Sequence, residues 1–251
     1  MALTETYRVE SNKWDAIAAQ AVPLLRPLPQ GTDFSGHIRT SPLLRGVADF
    51  LGNLRGKRVL EYGCGLGAIS TLLARSGAEV VSFDLSRASV AVTRQRADLN
   101  AVDLDLAVAA GESLPYADES FDIVFGKAIL HHLDVGIGAA DLYRVLRPGG
   151  KAAFAEPMGM NPILNLARAG VWYPHKHPRG ADRLLTYDEI DAWGRQFREF
   201  HFREVQLLSM AERALGFGKN LKLLRRADDL LLARVPALRR YCRYVVMCMV
   251  K

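Results

Sequence analysis

Hydrophobic and polar positions along this chain fall into two rhythms. From Lys57 onward short apolar runs recur: RVLEY (58–62), EVVSF (79–83), LDLAVA (104–109), FDIVFG (121–126) and KAAFAE (151–156). Each has strand length, and near-continuous apolarity in so short a run marks a strand covered on both faces. Between them, helical spacing predicts helices at Ala68–Ser76, Arg87–Asn100 and Ala139–Leu146. Strand and helix in this alternation predict an α/β fold with a doubly wound, mainly parallel sheet.

Upstream, Trp14, Ile17, Ala18, Ala21, Val22 and Leu25 stand at helical spacing, predicting a helix from Asn12 to Arg26 that Pro27 and Pro29 stop. Ser41 with Pro42 is expected to open a second helix, to about Leu51. Residues 1–56 therefore form an N-terminal helical segment ahead of a domain over 57–251. After Pro157 the rhythm breaks. Helices are expected at Asn161–Val171 and Thr186–Phe197, followed by strands REVQLLSM (203–210) and RYVVMCMVK (243–251) around a mostly helical stretch from Ala211 to Ala233. Residues 157–200 and 211–238 are expected as insertions that roof a binding site.

Composition narrows the class. With 251 residues, 49% hydrophobic and 24% charged, the chain matches neither disordered nor low-complexity proteins. No apolar run approaches the roughly 20 residues of a membrane-spanning helix; the longest, Val245 to Val250, is strand-sized. The opening MALTETYRVE lacks a basic region followed by an apolar stretch, so no secretory signal is expected. Three cysteines, Cys64, Cys242 and Cys248, are too few for a disulfide framework, and a cytoplasmic location is expected.

The net charge of +6 is unevenly placed. Ten Lys and Arg between Arg213 and Lys251 face only Asp228 and Asp229, so that segment carries +8 and residues 1–212 carry −2. Leu221, Leu224, Leu231 and Leu232 make an apolar stripe there with basic flanks. A solvated basic face, peripheral contact with an anionic membrane surface and RNA binding all fit such a stripe. Sparse aromatic interleaving between Phe217 and Tyr241 argues against nucleic acid.

The densest chemical signal is Glu61-Tyr-Gly63-Cys64-Gly65-Leu-Gly67, set between a strand and a helix. Backbone pressed against a ligand in so tight a turn needs residues without a β-carbon, and the following helix N-terminus offers free N–H groups. Asp84 ends the next strand, beside that loop in a doubly wound sheet, where a carboxylate accepts ribose hydroxyls. The competing reading is a plain turn followed by a capping aspartate. Gly63, Gly65 and Ala68 also fit a dinucleotide fingerprint, but Glu61 would face a pyrophosphate unfavourably and suits a cationic or amino-bearing ligand.

The runs VLEYGCGLG, VVSFDLS, GESLPYADESFDIVFGKAILHHL and RVLRPGGKAAFAEP resemble the successive motifs of class I S-adenosylmethionine-dependent methyltransferases. The resemblance spans about residues 57–156 and is closest in texture to the small-molecule branch similar to ubiquinone- and menaquinone-biosynthesis methyltransferases. It implies a seven-stranded sheet whose last two strands form an antiparallel edge. It also implies S-adenosylmethionine as cofactor, with Glu61, Gly63, Cys64, Gly65 and Gly67 lining its methionine part and backbone. Asp84 is then expected on the ribose and Leu85 against the adenine. Where the family has Gly-Asp-Ala-Glu, this chain has Ala109, Ala110, Gly111 and Glu112, so Gly111 and Glu112 must serve the adenine amino group without a carboxylate at 110. Lys127 falls at the level of the methionine moiety, with a plain surface lysine as the alternative.

Methyl transfer from a sulfonium chiefly needs orientation of the acceptor and removal of a proton. His131 and His132 follow the fourth strand, and the resemblance implies a positional role for His132 with His131 toward the substrate as base. Glu156, ending the fifth strand, is a second candidate base or cation stabiliser. Tyr173, His175 and His177 are expected in the acceptor pocket; a two-histidine spacing without accompanying acids is a weak metal signal, and no metal is expected. The fourth strand ends Phe125-Gly126-Lys127, lacking both the motif of exocyclic-amine methylation and the acid pair of metal-dependent catechol enzymes. The expected reaction is metal-independent transfer to a hydroxyl or amine of a small secondary-metabolite, quinone-like or lipid-like acceptor. Methylation of an alkene carbon, with Glu156, Trp172 and Tyr173 shielding a carbocation, and a non-catalytic cofactor-binding module are the alternatives.

Overall fold

A computed structural model describes residues 5–170, 184–211 and 222–251. Seven strands form one sheet: β1 (Arg58–Tyr62), β2 (Glu79–Asp84), β3 (Asp105–Val108), β4 (Phe121–Lys127), β5 (Leu146–Pro157), β6 (Glu199–Val205) and β7 (Tyr244–Val250). Their order is β3-β2-β1-β4-β5-β7-β6. Neighbours pair in parallel except β7, which runs antiparallel to both β5 and β6.

Strand alternation splits the core into two layers. Leu60, Tyr62, Val124, Phe154 and Met247 face α6 (Val135–Val145) and α8 (Tyr187–Gly194). Val59, Ile123, Phe125, Ala153 and Val246 face α2 (Phe34–Thr40), α3 (Val47–Leu51) and α4 (Ala68–Arg75). Both faces are covered, as the unbroken apolar runs require. The cover is completed by α5 (Arg87–Leu99), on which α1 (Glu5–Ala21) lies; two further helices, α7 (Pro162–Gly170) and α9 (Lys222–Arg234), follow later in the chain.

Several boundaries differ from the sequence expectation. The first helix begins seven residues earlier, at Glu5, and ends at Ala21, followed by a 3₁₀ turn over Val22–Leu24. Ser41-Pro42 ends a helix instead of opening one: α2 is capped by the Asp33 side chain, which accepts from Gly36 N–H, and stops where the proline forces Ser41 extended. α6 starts at Val135, capped by Asp134. β6 begins four residues before Arg203 because the alternation Phe200, Phe202 reads an edge strand with one face covered. The Leu207–Ser209 stretch, apolar enough to pass for strand, instead turns around the buried Asp228 carboxylate, which accepts the N–H groups of Leu207, Leu208 and Ser209 at 2.6–3.2 Å.

The later part of the segment expected as the first roof, from 184 on, also lies elsewhere. α8, closed by a Thr186–Glu189 capping box, buries Ile190 and Trp193 on the sheet face beside α6. The fit is close: a β-carbon on Gly138 would lie 2.7 Å from Trp193 Cη2. Glu199 and Phe200, at the end of that segment, already belong to β6. Among the described residues no helix is long and apolar enough to cross a membrane.

Candidate active site

At the carboxyl ends of β1, β2 and β4 lies a cavity of about 390 Å³. Its floor is the loop after β1, where Gly63 and Gly65 adopt positive φ. A β-carbon on Gly65 would meet nothing within 4 Å, whereas one on Gly67 would lie 2.7–2.8 Å from Thr93. Gly63, Cys64 and Gly65 thus line the cavity, while Gly67 is off its wall and lets α4 pack against α5. The loop is held from both sides: Cys64 N–H donates to Phe83 O at 2.8 Å and the Thr93 hydroxyl donates to Gly65 O at 3.2 Å.

Asp84 is buried at the cavity edge, where Oδ2 accepts Gly65 N–H and Oδ1 accepts Ser86 N–H, each at 2.9 Å. Burial raises its pKa although both backbone bonds act the other way. The cap of α5 is Ser86, whose side chain accepts from Ser89 N–H, so Asp84 joins two loops and leaves its outer edge to the cavity. Leu85, Ala110, Gly111, Glu112 and Lys127 also line the space. Tyr62 donates to Gly111 O from beneath, and a β-carbon on Gly111 would strike Tyr62 and Leu133. The Cys64 thiol is pushed up by burial and stays protonated.

Glu61 lies under the loop. It is buried, accepts from the Ser70 and Ser82 hydroxyls, and is pushed up by burial to about 8.

The two histidines occupy a 3₁₀ turn, Leu130–His132, in which successive side chains point about 120° apart. His132 lines the cavity and His131 does not. His131 is buried, with Nδ1 2.8 Å from Glu156 Oε2, and its ring lies 4.0 Å from that of His132. Glu156 is fully buried and its other oxygen accepts Ile129 N–H at 2.9 Å. This corrects the expected roles. Glu156 orients the His131 turn from behind, and its two committed oxygens do not present a base or a carbocation shield to the cavity. Trp172, Tyr173, His175 and His177 lie outside the described residues.

One wall escaped the sequence reading. Thr6, Tyr7, Glu10 and Trp14 of α1 close the side opposite the glycine loop, and among the described residues nothing after Leu133 lines the cavity. Tyr7, Glu10 and Trp14 are spaced three and four apart, one helical face; that mixed polar and aromatic stripe was the available signal. Burial and the facing Glu112 carboxylate push the Tyr7 hydroxyl up, while Glu112 itself accepts Asp134 N–H at 3.1 Å.

Residues 60–154 match the methyltransferase domain family. The chain is 33% identical over 179 residues to a ubiquinone biosynthesis O-methyltransferase of Alkalilimnicola ehrlichii, covering 67% of this chain and 70% of that protein. The chain belongs to the class I S-adenosylmethionine-dependent methyltransferases. A demethylmenaquinone methyltransferase of Beutenbergia cavernae is 39% identical over 115 residues, 45% of each chain. Among solved structures, phosphoethanolamine N-methyltransferase 2 of Haemonchus contortus, in complex with S-adenosyl-L-methionine, superposes with a TM-score of 0.59 at 21% identity. That match covers 83% of this chain and about half (52%) of that enzyme. For a methyltransferase of this class the cavity residues fit the cofactor: an open glycine floor, a carboxylate beside it and a carboxyl group beneath. Among the described residues no three His, Cys, Asp or Glu side chains cluster as a metal site.

Proposed function

We propose that this methyltransferase acts on a hydroxyl or amine of a small, quinol-like acceptor, with His132 taking the proton and without a metal ion. The observation that carries the reading is the placement of His132 on the cavity wall, with the His131–Glu156 pair fixing its turn. The named quinone-biosynthesis relatives support the acceptor class. Bound S-adenosylmethionine would supply a methyl group on sulfur with a neutral thioether as leaving group. Gly63 and Gly65 would bear on its amino-acid part, Asp84 would accept the ribose hydroxyls, and Leu85, Gly111 and Glu112 would flank the adenine.

His132 would accept the acceptor's proton as the new bond forms to carbon, and a neutral imidazole suits that near neutral pH. Burial of Glu156 keeps water from the His131 contact and holds the turn.

The test combines calorimetry and labelled methyl transfer. Asp84→Ala is expected to abolish measurable S-adenosylmethionine binding. His132→Ala is expected to lower turnover on a catechol or hydroquinone acceptor about 100-fold or more, with cofactor affinity retained. Undiminished turnover in His132→Ala would overturn the assignment of the base.

A further inference from the structure

α1 reaches the catalytic histidine as well as the cofactor cavity. Glu10 Oε1 lies 3.7 Å from His132 Nε2, and the two side chains are only 13% and 11% exposed. Trp14 Nε1, one turn further along α1, donates to the same oxygen at 2.8 Å and steadies the carboxylate. One turn back along α1, Tyr7 stands against Glu112, which accepts Asp134 N–H. One helix therefore touches both the histidine turn and the loop after β3.

Its attachment is largely polar. Ala18 is the one fully buried residue of α1, in a small cluster with Leu25 and Val92, and Trp14 and Ile17 are half-buried beside it. Asp15 Oδ1 accepts from the Ser86 hydroxyl at 2.5 Å and from Ala88 N–H at 3.2 Å, and the Ser11 hydroxyl donates to Leu85 O at 3.5 Å. These bonds end on Leu85, Ser86 and the first turn of α5, next to Asp84 at the end of β2. An element with so little buried apolar surface opens at low free-energy cost.

We propose that Glu10 is the positioning residue for His132, delivered by α1, so that the proton acceptor is set only while α1 covers the cavity. This rests on His132 as the base of the proposed reaction. A carboxylate at Nε2 favours the tautomer protonated there, which puts the lone pair on Nδ1. The proton from the acceptor hydroxyl passes to Nδ1 as oxygen bonds to the methyl carbon, and the positive charge created on the ring faces Glu10. In a pair so removed from water that attraction is strong. Among the described residues, the other titratable groups around the ring include His131 on its own turn, Glu156 behind it, and Tyr7, Glu112 and Lys127 on the cavity wall. Glu10 is the carboxylate among them that arrives on a separable helix.

The experiment is an NMR titration of the His132 imidazole in the full chain saturated with S-adenosylmethionine, with His132→Ala to assign the signal. Glu10→Gln is expected to lower the apparent His132 pKa by about 1 unit. It should cut turnover about tenfold or more while the cofactor Kd moves less than about threefold, and Glu10→Asp should restore part of both. Ala18→Arg, which wedges α1 off α5, and the milder Asp15→Ala should shift the titration in the same direction. Adding Glu10→Gln to Ala18→Arg should then change nothing further. A His132 titration unmoved by Glu10→Gln, or a Glu10→Gln effect that survives in the undocked background, would overturn the proposal. The titration needs no acceptor, so a wild-type enzyme that shows the pairing but methylates no quinol would count against the acceptor class alone.

Discussion

A carboxyl group with its pKa near 8 is an uncharged hydrogen-bonding group at pH 7, and Glu61 is in that state beneath the glycine loop. A cationic ligand arriving beside it favours the ionised form, so cofactor binding should expel a proton. The sign follows: raising the pH from about 6 to about 8 removes that proton beforehand and strengthens binding. Calorimetry at pH 7 in buffers of different ionisation enthalpy should show release of a fraction of a proton, and Glu61→Gln should show none. At this scale the cavity floor was legible because loop, strand end and carboxylate are encoded within a short stretch. Which of His131 and His132 faces the cavity was not: a 3₁₀ turn sends neighbours in different directions, and the partner that holds His131 away from it, Glu156 on β5, comes from far along the chain.

Helices and strands were legible where burial is two-sided. β1, β2 and β4 read as apolar runs and lie where those runs predicted, whereas β6, an edge strand with one open face, was displaced along the chain by the stronger but irrelevant apolarity of Leu207 and Leu208. The first seven residues of α1 were invisible for the converse reason, since they cover a cavity and not a core. Contact between α6 and α8 offers a direct check on the packing. Gly138→Ala drives a methyl group against Trp193, whose ring is fully buried, and should cost about 1–3 kcal/mol by denaturant unfolding. Cofactor binding should in turn slow amide hydrogen exchange in α1 more than in β1 or β4, whose exchange already requires opening of the core. Equal protection of helix and sheet would contradict the view of α1 as a separable cover.

Taken as a whole, the molecule gathers its chemistry at the carboxyl ends of the strands and ties only part of its C-terminal charge into its own framework. Lys251 donates to Leu146 O at 2.7 Å and lies over the Tyr143 ring, and Arg239 lies 4.0 Å from Glu204, whereas Arg226, Arg234 and Arg240 stay exposed. The strand order carries a different consequence. β7 is inserted between β5 and β6, although it is synthesised after both. During translation β6 has no partner to pair with, and β5 keeps one bare margin, until residues 244–250 have emerged. A nascent chain stalled before that point displays two sticky edges. Synthesis of that one strand should mark the moment at which the ribosome-bound intermediate stops needing chaperones.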